Sequence, residues 1–166
     1  MTHLPNPAGF HPIRRDRLPL ETLMDSYKTK GKLAEPTACP DCGAVFHAGR
    51  WQWLEKPKDA HQVSCPACHR MRDKFPAGYV SLAGKFLAAH EAEILQLIRH
   101  HETREKAGHP LQRIMDIEKT EHGTLVTTTD IHLARGIGEA LHHAYQGELE
   151  FHFSPEQNLL RVNWSR

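Results

Sequence analysis

The clearest hydrophobic pattern lies in the second half of the chain. Leu87, Ile94, Leu97 and Ile98 recur at helical spacing and predict a helix running roughly from Ser81 to Lys106, with Gly108 as its stop. A strand is expected from about Gln112 to Lys119, then a turn at Glu121-His122-Gly123 and a strand from Thr124 to Thr129. Thr129 or Asp130 would cap a second helix whose apolar face is Leu133, Ile137, Ala140, Leu141 and Ala144, ended by Gly147. Alternation follows: Leu149, Phe151 and Phe153 share one face, as do Leu160, Val162 and Trp164 beyond the turn at Ser154-Pro155-Glu156. The predicted order is α-β-β-α-β-β, a four-stranded sheet with helices covering one face.

The first half has a different texture. Residues 1–34 carry several prolines, no periodic apolar pattern, and basic clusters at Arg14, Arg15, Arg17 and at Lys28, Lys30, Lys32. They read either as a terminal tail or as an arm that orders on an RNA or protein surface. Residues 35–78 hold all four cysteines and two short strand-like runs, Val45-Phe46-His47 and Arg50-Trp51-Gln52-Trp53-Leu54, broken at Ala48-Gly49. Pro76-Ala77-Gly78 then punctuates the chain. The expected organisation is α+β: a basic extended arm (1–34), a zinc ribbon (35–78) and an α+β domain (79–166).

The cysteines form Cys39-Pro40-Asp41-Cys42 and Cys65-Pro66-Ala67-Cys68, with 22 residues between the pairs. Two intervening residues let a tight turn aim both sulfurs at one ion, and Gly43 can adopt the left-handed conformation such a turn needs. Four thiolates at about 2.3 Å complete the tetrahedron that Zn²⁺ prefers and leave no open position, so the expected role is structural. A module this small also needs such a staple to fold. Two rivals exist. Cys65-Pro66-Ala67-Cys68-His69 matches the c-type haem attachment pattern, although no export signal is visible and the other pair would go unexplained. A thioredoxin-like dithiol needs a strand-to-helix setting, which the sequence suggests for neither pair.

Composition narrows the class. Hydrophobic residues make up 39% of the chain and charged residues 25%, as expected of a soluble folded protein, and no run approaches the roughly 20 apolar residues of a membrane span. With no signal-peptide pattern at the N-terminus, the expected location is the cytoplasm, where paired cysteines favour metal over disulfide. Charge is unevenly divided: residues 1–78 hold 12 basic and 8 acidic side chains, a formal +4, and residues 79–166 hold 9 and 12, a formal −3. A polyanion contact is therefore expected in the first half. Arg50 and Trp51, between the cysteine pairs, suit phosphate contact and base stacking. The competing role for one of Trp51 and Trp53 is packing against the metal cage.

Other features read more plainly. The 14 histidines show no metal-binding spacing and are expected at the surface. Gly136-x-Gly138 lies within a helical pattern, where close packing explains it better than nucleotide binding. Thr127-Thr128-Thr129-Asp130 joins a strand to a helix, and capping accounts for it. No nucleophile–base arrangement is visible, so an enzyme is not expected.

Four segments together carry a resemblance: Glu35-Pro36-Thr37-x-Cys39-Pro40-x-Cys42-Gly43, Gly49-Arg50-Trp51, Cys65-Pro66-x-Cys68 and Thr127-Thr128-Thr129-Asp130-x-His132-Leu133-Ala134. They resemble a bacterial protein group that is itself similar to the large-ribosomal-subunit export adaptors named for nonsense-mediated decay. The likeness to the bacterial group spans most of the chain; that to the adaptors covers the cysteine module and, more weakly, the α/β part. It implies a zinc-ribbon protein that binds the ribosome and its rRNA, with the large subunit favoured, serving assembly, hibernation or quality control. The adaptors carry more Cys-x-x-Cys pairs, so only Cys39, Cys42, Cys65 and Cys68 carry over residue by residue. An export role does not carry over to a cell without a nucleus.

Overall fold

In the computed structural model, residues 11–13, 27 and 32–166 are described. A two-residue strand β1 (His11–Pro12) comes first. The cysteine-bearing part follows with β2 (Thr37–Ala38), β3 (Val45–His47), β4 (Arg50–Gln52), β5 (His61–Gln62) and helix α1 (Pro66–Asp73). The remainder is β6 (Gly78–Ala83), α2 (Lys85–Gly108), β7 (Ile114–Thr120), β8 (Gly123–Thr128), α3 (Ile131–Tyr145), β9 (Glu148–Ser154) and β10 (Leu159–Ser165). The fold is α+β, with two sheets and three helices among the described residues.

The larger sheet has six strands in the order β1-β9-β10-β6-β8-β7, and the smaller has four in the order β4-β3-β2-β5. This corrects the expected four-stranded sheet. Residues 78–83, read as linker and helix start, form the central strand β6, parallel to β10 and antiparallel to β8. The domain order is thus β-α-β-β-α-β-β. Gly84 explains the error: a helix interior tolerates glycine, but here Gly84 has φ +105° and separates strand from helix. A Cβ there would meet the carbonyl oxygen of Arg166 at 2.2 Å. Gly78, read as punctuation, is a packing residue, since a Cβ would lie 2.5 Å from Ala134 Cβ and from Thr128 Oγ1. The expected boundary at residue 78 therefore falls inside β6.

The alternating patterns of β9 and β10 place Phe151, Phe153, Leu160, Val162 and Trp164 in one core with Leu87, Ile94 and Ile98 of α2 and Ile137 and Leu141 of α3. Each of these side chains withdraws from water and, when fully buried, contributes about 1.5–3 kcal/mol. Asp130 caps α3, its carboxylate accepting from the backbone N–H of His132 at 2.8 Å and of Leu133 at 3.2 Å.

The N-terminal arm makes contacts at its described positions. β1 pairs antiparallel with β9, and Tyr27 stacks on Phe75 at 5.9 Å while its hydroxyl donates to Asp73 at 2.9 Å. The Arg70 guanidinium, on a buried side chain of α1, lies 4.5 Å from the centre of the Tyr27 ring. Arg14, Arg15, Arg17, Lys28 and Lys30 lie outside the described residues.

Candidate metal centre

The two halves of the centre are built differently. Cys39 and Cys42 flank the turn between β2 and β3, where Gly43 takes φ +82° and donates its N–H to the Cys39 carbonyl at 2.9 Å. Cys39 N–H donates to the Ala44 carbonyl at 2.8 Å and closes the loop. Cys65 and Cys68 belong to the start of α1: Cys65 is its N-cap, and its sulfur accepts from the Cys68 N–H at 3.4 Å. Pro66 at the first helical position suits this, because its missing N–H would have had no partner there. The Cys65 N–H in turn donates to the Cys39 sulfur at 3.2 Å, linking the two pairs. The second pair thus does have a strand-to-helix setting, contrary to the sequence expectation, since β5 precedes it and α1 follows. Its sulfurs nonetheless converge with those of the first pair.

All four sulfurs lie within 4.8 Å of one another, and those of Cys42 and Cys65 are 3.8 Å apart. Sulfurs at about 2.3 Å from a shared ion, at the corners of a tetrahedron, stand about 3.8 Å apart. A disulfide needs about 2.05 Å, so the separation fits ligation and not a cross-link. Cys39, Cys65 and Cys68 are buried and Cys42 partly so. Four cysteines filling a tetrahedron leave no position for water or substrate, so the arrangement suits a structural ion.

Sequence reasoning missed the residue that completes the centre. Arg113, just before β7, sends its guanidinium into the cluster: one terminal nitrogen donates to Cys68 Sγ at 3.3 Å, the other to Cys42 at 3.1 Å and Cys65 at 3.4 Å. Its Nε donates to the Pro110 carbonyl at 2.8 Å, and the residue is only 9% exposed. Thr129 holds the backbone behind it. Its hydroxyl donates to the Leu111 carbonyl at 2.6 Å and accepts from the Arg113 N–H at 3.0 Å, while its own N–H donates to the Arg113 carbonyl at 2.9 Å. Leu111 packs against the cysteines beside Trp51. No spacing in the sequence ties Arg113 to the cysteines; the one hint was the Thr127–Asp130 run, whose third threonine anchors it.

The electrostatics fit a cation. Burial works against ionisation of Cys39, but N–H groups of Cys65, Cys42 and Asp41 outweigh it and bring the thiol down to about 7. Burial pushes Cys65 well above the usual thiol range, and Cys68 up as well, with Arg113 opposing in both cases. For Arg113, burial disfavours the charge, but the hydrogen bond to Cys68 and the nearby sulfurs hold the guanidinium above its ordinary range. Ionised on a bound metal, the four thiols would carry −4, of which Arg113 offsets one charge and a divalent ion two more. The donor set therefore fits a divalent, sulfur-seeking metal.

The remaining sequence-predicted residues are dispersed. Trp51 is half-buried on β4, packed on the cysteine cluster and edge-on to Phe46 at 5.6 Å. Trp53 is 38% exposed, and its indole N–H donates to the Lys106 carbonyl at the end of α2 at 2.7 Å. Arg50 and Lys32 are exposed. A cavity of about 440 Å³ lies elsewhere, on the sheet face away from the helices, lined by Tyr79, Ser81, Glu150, Arg161 and Asn163. Comparison with family models, curated proteins and solved structures returns no match.

Proposed function

We propose that the ion is zinc and that the protein is a non-catalytic zinc-ribbon factor binding the ribosome or ribosomal RNA, with the large subunit favoured. The closed four-sulfur cluster carries this reading. A centre with every position filled supports a fold and leaves recognition to the surface. The formal +4 of residues 1–78 against −3 beyond supports a polyanionic partner, with Arg14, Arg15, Arg17, Lys28, Lys30, Lys32 and Arg50 supplying the charge. The resemblance supplies the ribosome and the preference for its large subunit. Purified protein is expected to carry about one zinc per chain, and Cys42→Ser to lose it.

A second reading, docking on a protein without RNA contact, has its own observation. The exposed large hydrophobic side chains among the described residues, Trp53, Leu54, Val63, Met71 and Phe75, all lie between residues 53 and 75. Co-sedimentation of zinc-loaded protein with purified subunits across a salt series separates the two readings. Phosphate contacts make binding fall steeply with salt, and Arg14→Glu, Arg15→Glu and Arg17→Glu together should abolish it at moderate salt. Absence of binding to either subunit at low salt would leave the protein-docking reading standing.

A further inference from the structure

We propose that Arg113 makes the metal centre the joint between the ribbon and the sheet domain, so that occupancy of the cysteine site controls the order of residues 110–114 and of the start of α3. The proposal is independent of the partner, because it concerns how one part of the chain answers to the other.

A guanidinium has five donors and no acceptor, and one that is 9% exposed must find anionic or carbonyl partners inside the protein. Arg113 finds three sulfurs and the Pro110 carbonyl. The sulfurs come from two separate turns, one before β3 and one opening α1. Besides Arg113 itself, the ties between those turns include the Cys65 N–H to Cys39 Sγ contact at 3.2 Å and exposed bonds from Ser64 and Arg72 to Asp41, the latter at 3.0 Å. A shared ion holds the turns together. Without it only those bonds and the β2–β5 pairing, with the Val63 N–H to Ala38 carbonyl at 3.2 Å, hold the turns; the sulfurs can then spread, and the fork loses the convergence of its acceptors.

That movement is not local. The Arg113 backbone is bonded through both its N–H and its carbonyl to Thr129, and the next residue, Asp130, caps α3. Displacing Arg113 therefore strains the entry to β7 and the N-terminus of α3 together. Linkage makes the effect reciprocal: if metal orders the joint, an intact joint must hold metal more tightly.

Two variants separate this from simple space-filling: Arg113→Met keeps the length and loses the donors, and Arg113→Lys keeps the charge and loses the fork. Against a competing chelator Arg113→Met should hold zinc about 10–100-fold less tightly, the range seen when a hydrogen-bond partner of a metal ligand is removed, and should release it faster than the wild type. Arg113→Lys should fall between it and the wild type. With cobalt(II) in place of zinc, the sulfur-to-metal charge-transfer band should move to lower energy in Arg113→Met, because sulfur lone pairs relieved of N–H donors are easier to oxidise. Amide exchange supplies the readout in the unmutated full chain. Chelation should speed exchange at the amides of 111–114 and 129–133, and not in the ribbon alone. Unchanged exchange in those segments after metal removal would overturn the proposal. So would wild-type release rates and an unshifted cobalt band in Arg113→Met. If Arg113→Met fails to fold, the chelation experiment on the wild type and the Arg113→Lys release rate still decide.

Discussion

Thr129→Val tests the architecture behind the metal centre without touching a cysteine or a charge. Valine has nearly the shape of threonine and the same branching at Cβ, so little is lost in packing at this 6%-exposed position. What disappears is the hydroxyl between Leu111 and Arg113. The Leu111 carbonyl loses a donor at 2.6 Å, and the Arg113 N–H loses an acceptor at 3.0 Å. The Thr129 N–H to Arg113 carbonyl bond at 2.9 Å survives, because it is made by backbone alone.

Each buried backbone group left without a partner costs about 1–3 kcal/mol. The expected loss for the pair is about 2–4 kcal/mol, the upper values being relieved if the segment loosens enough to admit water. For a chain of this size that corresponds to a fall in Tm of about 4–16 °C. Thermal and urea denaturation of the metal-loaded protein would measure it. Thr129→Ser, which keeps the hydroxyl, should lose only about 1 kcal/mol for its missing methyl group. A Thr129→Val protein within about 0.5 kcal/mol of the wild type, a difference too small for two orphaned groups, would refute the assigned role of the hydroxyl. Equal losses in the two variants would do the same.

Two further outcomes follow from packing and titration. Gly138→Ala places a Cβ 2.6 Å from Val162 Cγ1 and 3.0 Å from Leu149 Cδ1, so overpacking of about 1–3 kcal/mol should outweigh the roughly 1 kcal/mol gain in helix propensity. Adding Val162→Ala should relieve part of the strain, and a simple sum of the two single losses in urea denaturation would rule the clash out. His101 is held below the ordinary histidine value of 6.5 chiefly by burial, with Glu105 opposing and Arg104 adding. Between that lowered value and about pH 6.5 the folded chain binds fewer protons than the unfolded one, so this contribution to stability is full above pH 6.5 and is lost as pH falls through that window. His101→Gln should flatten that slope in urea midpoints taken from pH 8 to 5, and identical slopes in variant and wild type would exclude the assignment.

What the sequence revealed divides along physical lines. Elements with strict local periodicity were legible: β9, β10 and α3 lie within a few residues of their expected spans, because Phe151, Val162 and Leu141 report burial by spacing alone. The four cysteines were legible because metal ligation demands a fixed local geometry at each pair. The strand β6 was not. Its Tyr79-Val80-Ser81-Leu82 run is a good alternation, but it abuts Gly84 and the apolar face of α2, and a glycine at φ +105° is invisible to a periodicity argument. Helix α1 was hidden by brevity, and its eight residues begin inside the motif that drew attention as a turn. Arg113 lay beyond reach for a different reason. Its partners are 45 to 71 residues away, and nothing local distinguishes an arginine that will face sulfurs from one that will face water.

The distribution of exposed apolar groups follows from how the two parts are held. The sheet domain has a conventional core and hides its large side chains. Beyond its sulfurs the ribbon buries mostly small side chains, Ala38, Ala44, Val45 and Ala67, with the adjoining faces of Trp51 and Leu111, while Leu54, Val63, Met71 and Phe75 remain at the surface. A module folded around a metal tolerates such an arrangement, because metal binding rather than an apolar core then supplies the folding free energy. A substitution at exposed Val63 or Met71 accordingly removes little from either core. The ribbon's contacts constrain the joint. Trp53 bonds to the last turn of α2 and Arg113 reaches back from the residue just before β7, so the ribbon is tied to both ends of the α2–β7 connection. Loosening of the ribbon would therefore reach Thr129 and the N-terminus of α3 through that connection.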